Sequence, residues 1–495
     1  MDIGYYRKLL DDVERRIVGI GITAFNRIGP ALSFSNHEIV CYKWGSDLEA
    51  LERLCPIHAI QRDFPEEDIT KLNTLAILKH PGVTRYLQGL GKFGIFIYRT
   101  TERVDRLCEE HGWRVFANPH RIRDRFEDKR SFFKIVRAIG LPVIPGEQWE
   151  IDRVDEDEYL RLTKRVGERL VFQLTDFSLG GGKGTYFVNT LSDFKKFKRS
   201  AEERLETSEL RFVNIVRYVE GVPASITGCV TRHGVLTAVV QTQVMDVPEL
   251  VKLRERRGIW RGHDWSFGHY SSSIERQADR IAKRLGAYMY QDGYKGIFGV
   301  DLAIDKKTQK VYPVECNPRY TGGFPVYSFL QRRVEEIPLD VFQLLEFFDL
   351  NYKMDFAAMD ASWKQPKEGA HLVLHNKETE LWVQATGDLP AGVYRLKRSA
   401  SSVKRSGFEL EWVREGVTPL DIHEPNEFVF TDGCPKLGGL VKPHLRCGKL
   451  IFGRSILDGR YDRLNDWARA IVESVYHSLD LRPVATEEAG SSFDY

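Results

Sequence analysis

The chain has 495 residues, 42% of them apolar and 29% charged, with a formal charge of +2 at neutral pH. That length exceeds what a single core fills, so two or three domains are expected, and the ordinary composition sets disorder aside as the default. Near-neutral charge gives no footprint for nucleic acid or an anionic membrane as principal partner, and no apolar run reaches the roughly 18 residues a membrane helix needs.

The first part alternates strand and helix. R-I-V-G-I-G-I-T (16–23) and H-E-I-V-C-Y-K-W (37–44) read as strands. F-G-I-F-I-Y-R-T (93–100), an amphipathic helix over 101–112 closed by Gly112, and W-R-V-F-A-N-P (113–119) make a βαβ unit of a parallel sheet. A doubly wound first domain over residues 1–120 follows. From Asp128 a helix runs to Gly140, and Pro142 starts an extended segment. The strands E-R-L-V-F-Q-L (168–174) and G-T-Y-F-V-N (184–189) flank S-L-G-G-G-K-G. N-I-V-R-Y-V (214–219) runs into the turn E-G-V-P, and two strands around His233-Gly234 read as a hairpin. Ser272 and Glu275 have capping-box spacing for a helix with Ile274, Ala278, Ile281 and Leu285 on its apolar face.

G-I-F-G-V-D-L-A-I-D (296–305) turns at Lys306-Lys307 into V-Y-P-V-E-C-N-P-R-Y-T-G-G (311–323). As adjacent antiparallel strands these bring Asp301 close to Glu315 and Asn317. Hard oxygen donors of this kind suit Mg²⁺, and Arg319 beside them suits a transferring phosphoryl group. Beyond residue 365 the pattern is β-rich, and a helix over 465–479 precedes the end. Seven cysteines, an odd number with no C-x-x-C pair, and an opening M-D-I-G-Y-Y-R-K without an apolar leader predict a reduced, cytoplasmic protein.

G-x-x-G-V-D-L followed by V-E-C-N-P-R-Y-T-G-G, after a glycine-rich loop and a strand-E-G hinge, resembles the ATP-grasp superfamily over roughly residues 90–330. The resemblance implies an α/β and α+β multidomain chain. A doubly wound pre-ATP-grasp domain (1–120) would precede an ATP-grasp domain (121–335), a C-terminal β-rich domain (365–482) and a loose tail (483–495). It also implies ATP and Mg²⁺ or Mn²⁺ as cofactors, with Asp301, Glu315 and Asn317 as metal ligands. Arg319 and Lys183 would be the catalytic cations. Nucleotide would contact Lys129, Gln173, the lid Gly180, Gly181, Gly182, Lys183 and Gly184, and the adenine hinge Arg217, Tyr218, Val219 and Glu220.

One departure from the family pattern stands in V-F-Q-L, where Gln173 occupies the place of a second phosphate-binding lysine; Lys183 could offset the lost charge. The activity implied is a carboxylate–amine ligase joining a small carboxylic or amino acid to an amine through an acyl phosphate, with small-molecule substrates and homodimers common among relatives. A biotin carboxylase-like enzyme is the alternative suggested by the domain order, although Y-T-G-G-F-P-V-Y (320–327) replaces the H-P-V-T-E type segment of those enzymes. A catalytically silent ATP-binding protein is a further alternative, resting on Gln173. On the acceptor side, residues 250–266 carry five basic residues with Trp260 and Trp265, suited to an anionic, partly flat substrate.

Overall fold

Short apolar runs separated by amphipathic helices satisfy their backbones by pairing in a sheet covered on both faces. The computed structural model, which describes residues 2–65, 72–175, 184–205, 211–251, 258–266, 270–378, 380–398, 408–443 and 445–484, shows this in its first part. Strands β1 (Arg16–Gly21), β2 (His37–Cys41), β3 (Ile57–Ala59), β4 (Phe93–Phe96) and β5 (Arg114–Val115) form a parallel sheet ordered β3-β2-β1-β4-β5. This is the doubly wound arrangement expected. The strand order reverses between β1 and β4, and the carboxyl ends of the strands at such a reversal are the usual place for a ligand in these sheets.

Strands β6 (Gly146–Glu150), β7 (Leu170–Leu174), β8 (Thr185–Val188) and β9 (Phe212–Arg217) form an antiparallel sheet ordered β6-β9-β7-β8. Helices Glu156–Val166 and Leu191–Leu205 cover it, with Leu162, Phe194 and Phe197 packing onto Phe172 and Ile215. Strand β9 stops at Arg217, two residues earlier than the sequence suggests. That leaves Tyr218, Val219 and Glu220 as a connection to the next sheet.

The next strands are β10 (Gly221–Thr231), β11 (Gly234–Met245), β12 (Trp260–Asp264), β13 (Gly296–Asp305), β14 (Val311–Asn317) and β15 (Ala370–His375). They are followed by β16 (Trp382–Ala385), β17 (Gly392–Arg398), β18 (Phe408–Arg414), β19 (Glu427–Thr431), β20 (Leu440–Val441), β21 (Arg446–Phe452) and β22 (Leu481–Val484). Ten of these make one sheet, ordered β14-β13-β10-β11-β12-β15-β21-β19-β17-β18. The β-rich segment after residue 365 therefore extends the central sheet. The join is the pairing of Gly262 with Leu372, His263 with His371 and Asp264 with Ala370. A side chain at Gly262 would put its Cβ 1.9 Å from the His371 carbonyl oxygen, so glycine is what lets β12 and β15 meet.

Helix Ser272–Gln291 buries Ile274, Ala278, Ile281 and Leu285 with Val230, Val235 and Phe298 of this sheet. Its N-cap is Ser271, whose side chain accepts from the Ile274 amide, one residue before the Ser272 that S-x-x-E spacing indicates. Helix Asp466–Leu479 packs Ile471, Val472 and Val475 among Leu450 and Phe452. Strands β20, β16 and β22 form a small sheet, and β22 takes in Pro483 and Val484 of the segment expected to be loose. No described helix is long and apolar enough to cross a membrane. All seven cysteines are buried and free.

Candidate active site

The turn between β13 and β14 fixes the register of the central pair. The Asp305 carboxylate accepts the Lys307 and Thr308 amides at 2.9 Å each, and Gln309 takes φ +57° to close the turn. With that register Asp301 lies opposite Glu315, and Asn317 lies opposite Gly299, which offers no side chain. Ser225 pairs with Asp301 on its other side and Gln241 with Ser225, so Glu315, Asp301, Ser225 and Gln241 form a polar row across four strands.

Each member is held. Gln243 Nε2 donates to Asp301 Oδ1 at 2.9 Å, and Asn317 Nδ2 donates to Asp301 Oδ2 at 3.3 Å. Arg319 Nη2 donates to Asn317 Oδ1 at 2.8 Å, and Lys129 Nζ stands 3.5 Å from Glu315 Oε2. Lys129 opens helix Lys129–Ala138, whose N-cap Asp128 accepts the Ser131 amide. Burial, and then the charge of Glu315, push the Asp301 carboxyl up to about 7. A cation between the two carboxylates would relieve that cost. Two carboxylates fit Mg²⁺, which takes one or two from the protein and fills its octahedron with phosphate oxygens and water. Among the described residues no cluster of three or more His, Cys, Asp and Glu side chains could hold a metal, so any cation here leans on this pair and its ligand.

Glu127 was not singled out in the sequence, yet it organises the arginines. Its carboxylate takes Arg319 Nε at 2.7 Å and also pairs with Arg123, while Arg99 Nε lies 3.7 Å away. Burial alone would raise the Glu127 carboxyl; the charges of Arg319, Arg123 and Arg99 outweigh it and hold it at about 2. Its only sequence signal is its position, immediately before the cap Asp128 of the helix that carries Lys129. Gln243, which orients Asp301, gave none: its role rests on the β10–β11–β13 register, which is long-range.

A cavity of about 540 Å³ brings the expected residues together: Lys129, Gln173, Arg217, Tyr218, Val219, Asp301, Glu315, Asn317 and Arg319 all line it. The Tyr218 amide is spent on the Arg169 carbonyl and the Glu220 carbonyl on the Lys306 amide. Glu220 itself lies outside this cavity, facing a neighbouring one with Arg169 and Lys306. Gly184 pairs its carbonyl with the Leu174 amide at the start of β8 and does not line the cavity. Gly180, Gly181, Gly182 and Lys183 lie outside the described residues, as do Lys252, Arg254, Arg256 and Arg257 of the basic segment. Of the two tryptophans, Trp260 lines the cavity, whereas Trp265 is buried against Tyr327 and donates to Gln241 Oε1 at 2.8 Å. Trp265 follows the end of β12 at Asp264, and its ring is packed in the core and does not line the cavity.

The family model of the ATP-grasp domain matches residues 178–323. The arginine-specific large chain of carbamoyl phosphate synthase from Halalkalibacterium halodurans is 20% identical over 225 residues, 44% of this chain and 19% of that relative. The large chain from Pyrococcus furiosus is 23% identical over 47% of this chain and 20% of its own length. The match thus spans about a fifth of these curated relatives. In fold, the chain is similar to the biotin carboxylase domain of Hydrogenobacter thermophilus 2-oxoglutarate carboxylase, a dimer in complex with MgADP, ADP and bicarbonate (TM-score 0.57, 14% identity, 95% of this chain and 90% of that one). A biotin carboxylase–β-γ-ATP complex from Campylobacter jejuni is similar over 95% of this chain and 92% of its own (TM-score 0.56, 14% identity). Phosphoribosylamine–glycine ligase of Thermotoga maritima is similar over 94% and 97% (TM-score 0.54, 12% identity). The chain shares the fold of these enzymes, and its residues 178–323 match the ATP-grasp domain.

Proposed function

We propose that the protein is an ATP-dependent ligase that activates a small carboxylic or amino acid as an acyl phosphate and passes the acyl group to an amine. The observation that carries this reading is the grouping of Asp301, Glu315, Asn317, Arg319 and Lys129 around one cavity that Tyr218 and Val219 also line. Asp301 and Glu315 would hold Mg²⁺, with Asn317 completing the set; the ion supplies charge neutralisation at the nucleotide phosphates. The Arg319 guanidinium, fixed by Glu127 and Asn317, faces the place where charge develops on the transferring phosphoryl group. The acid's carboxylate oxygen forms the bond to the γ-phosphorus as ADP leaves. The amine then forms the bond to the acyl carbon, losing a proton as phosphate leaves. Lys129 supplies a positive charge in the cavity that Gln173 also lines, which supports turnover without a lysine at position 173.

Bicarbonate belongs among the acids to be tried, because the Hydrogenobacter domain of similar fold holds MgADP and bicarbonate. The metal assignment is tested by Glu315→Gln. Calorimetric titration of ATP at graded Mg²⁺ is expected to show a 10- to 100-fold higher Mg²⁺ requirement in the variant, by the rough scale for perturbed metal sites. An unchanged requirement would remove Glu315 from the metal set.

A further inference from the structure

Arg99 lines the cavity together with Arg217 and Arg319, and its Nε has no hydrogen-bond acceptor among the described residues. It follows β4 by three residues and so stands at the carboxyl edge of the doubly wound sheet, beside the reversal between β1 and β4. Its neighbours fix the backbone. Tyr98 lies under the Arg27 guanidinium and against the Tyr320 ring, Thr100 donates to the Asn118 carbonyl at 2.8 Å, and Thr101 caps helix Glu102–Glu110. The side chain is thus presented from a rigid loop, into a cavity it shares with Arg319, Thr321, Gly322 and Trp260.

Glu127 reaches it as an ion pair but not as a hydrogen-bond acceptor. That carboxylate is bonded to Arg319 at 2.7 Å and engaged by Arg123, whereas Arg99 Nε stands 3.7 Å away; the Arg99 side chain is 32% exposed, but its Nε is buried and, among the described residues, without a hydrogen-bond partner. A buried guanidinium donor without an acceptor is costly, and a bidentate carboxylate or phosphate is the acceptor its fork fits best. We infer that Arg99 anchors an anionic group, carboxylate or phosphate, of the acid substrate. This rests on the ligase reading above and adds to it a specificity residue from the first domain.

The test uses the full chain with Mg²⁺ and a non-hydrolysable ATP analogue at saturation, so that the triphosphate positions are filled. Succinate and inorganic phosphate are then titrated and Tm is followed. At least one anion is expected to raise Tm saturably, succinate alone identifying a carboxylate and phosphate alone a phosphate. In Arg99→Gln its half-saturating concentration is expected to rise at least tenfold, with partial recovery in Arg99→Lys and no change in the concentration dependence of the analogue. Lys at 99 also keeps the experiment decisive should the Gln variant fold poorly. An anion response equal in wild type and both variants, or none in wild type, overturns the inference alone. If the analogue itself gives no Mg²⁺-dependent stabilisation, the ligase reading falls and this inference with it.

Discussion

Replacing Arg319 by alanine is expected to lower kcat by about 10³-fold, the scale at which a guanidinium stabilises a phosphoryl transition state. ATP affinity should change far less, because on the ligase reading proposed above ground-state binding would be shared among Lys129, Tyr218, Val219 and the carboxylate pair. Arg319 is not held by the strand that precedes it: β14 ends at Asn317, and the guanidinium is positioned by Glu127 and the Asn317 amide oxygen. Glu127→Gln should therefore reduce kcat by roughly 10- to 100-fold, as loss of an orienting partner does, with KM for ATP little changed. Steady-state kinetics alongside thermal unfolding separates this from misfolding. Equal activity of Glu127→Gln and wild type would mean that Arg319 is positioned without its partner.

The second large effect is expected in stability. Asp432 is fully buried, accepts from Thr23 Oγ1 at 2.6 Å, and pairs with Arg446 and with Lys449 at 3.2 Å. Lys449, also fully buried, donates to Asn26 Oδ1 and to the Gly322 carbonyl at 3.1 Å each. One carboxylate thus ties the loop after β1, the segment after Arg319 and the C-terminal strands β19 and β21 into a single cluster. Asp432→Ala would leave two cations without their counter-charge, at a cost of about 3–5 kcal/mol. Burial would raise the Asp432 carboxyl, but Arg446 and Lys449 overcome it and hold it well below its ordinary value. A carboxyl depressed in the folded state stabilises above its unfolded pKa of about 4, and that stability is lost as pH falls toward the folded value. The gap between wild type and Asp432→Ala in urea melts should therefore be full at pH 7 and narrow below about pH 4. A gap that is constant with pH would show that the aspartate acts through packing, not charge.

What the sequence made legible is local. The alternation in V-Y-P-V-E-C-N and the short turn before it place Asp301 beside Glu315 without any knowledge of the remaining sheet. The run D-K before an amphipathic stretch marks a helix start, and Asp128 caps it. Long-range pairing was not legible. Nothing in A-H-L-V-L-H says that it adds to β12, so the C-terminal β-rich segment reads as separate although it completes the central sheet. E-F-V-F-T (427–431) is apolar enough to be a buried strand in the middle of that sheet, yet it lacks the alternation by which half-buried strands are recognised. Trp265 reads as part of the substrate side from its neighbourhood in sequence, yet just past the end of β12 it packs on Tyr327 and bonds to Gln241, contacts that no local pattern records. Glu127 and Arg99 meet only because the loop after β4, the helix start at Lys129 and the end of β14 converge, and no spacing in the chain records that convergence.

The most direct measurement is ATP turnover with Mg²⁺ against pools of amino acids and small carboxylic acids, bicarbonate included, with hydroxylamine present to trap an activated acyl group. Substrate-dependent release of ADP and phosphate, with a hydroxamate formed from one acid of the pool, is the expected result. Release of AMP and pyrophosphate instead would mean that the acid is adenylated, and would contradict phosphoryl transfer past Arg319.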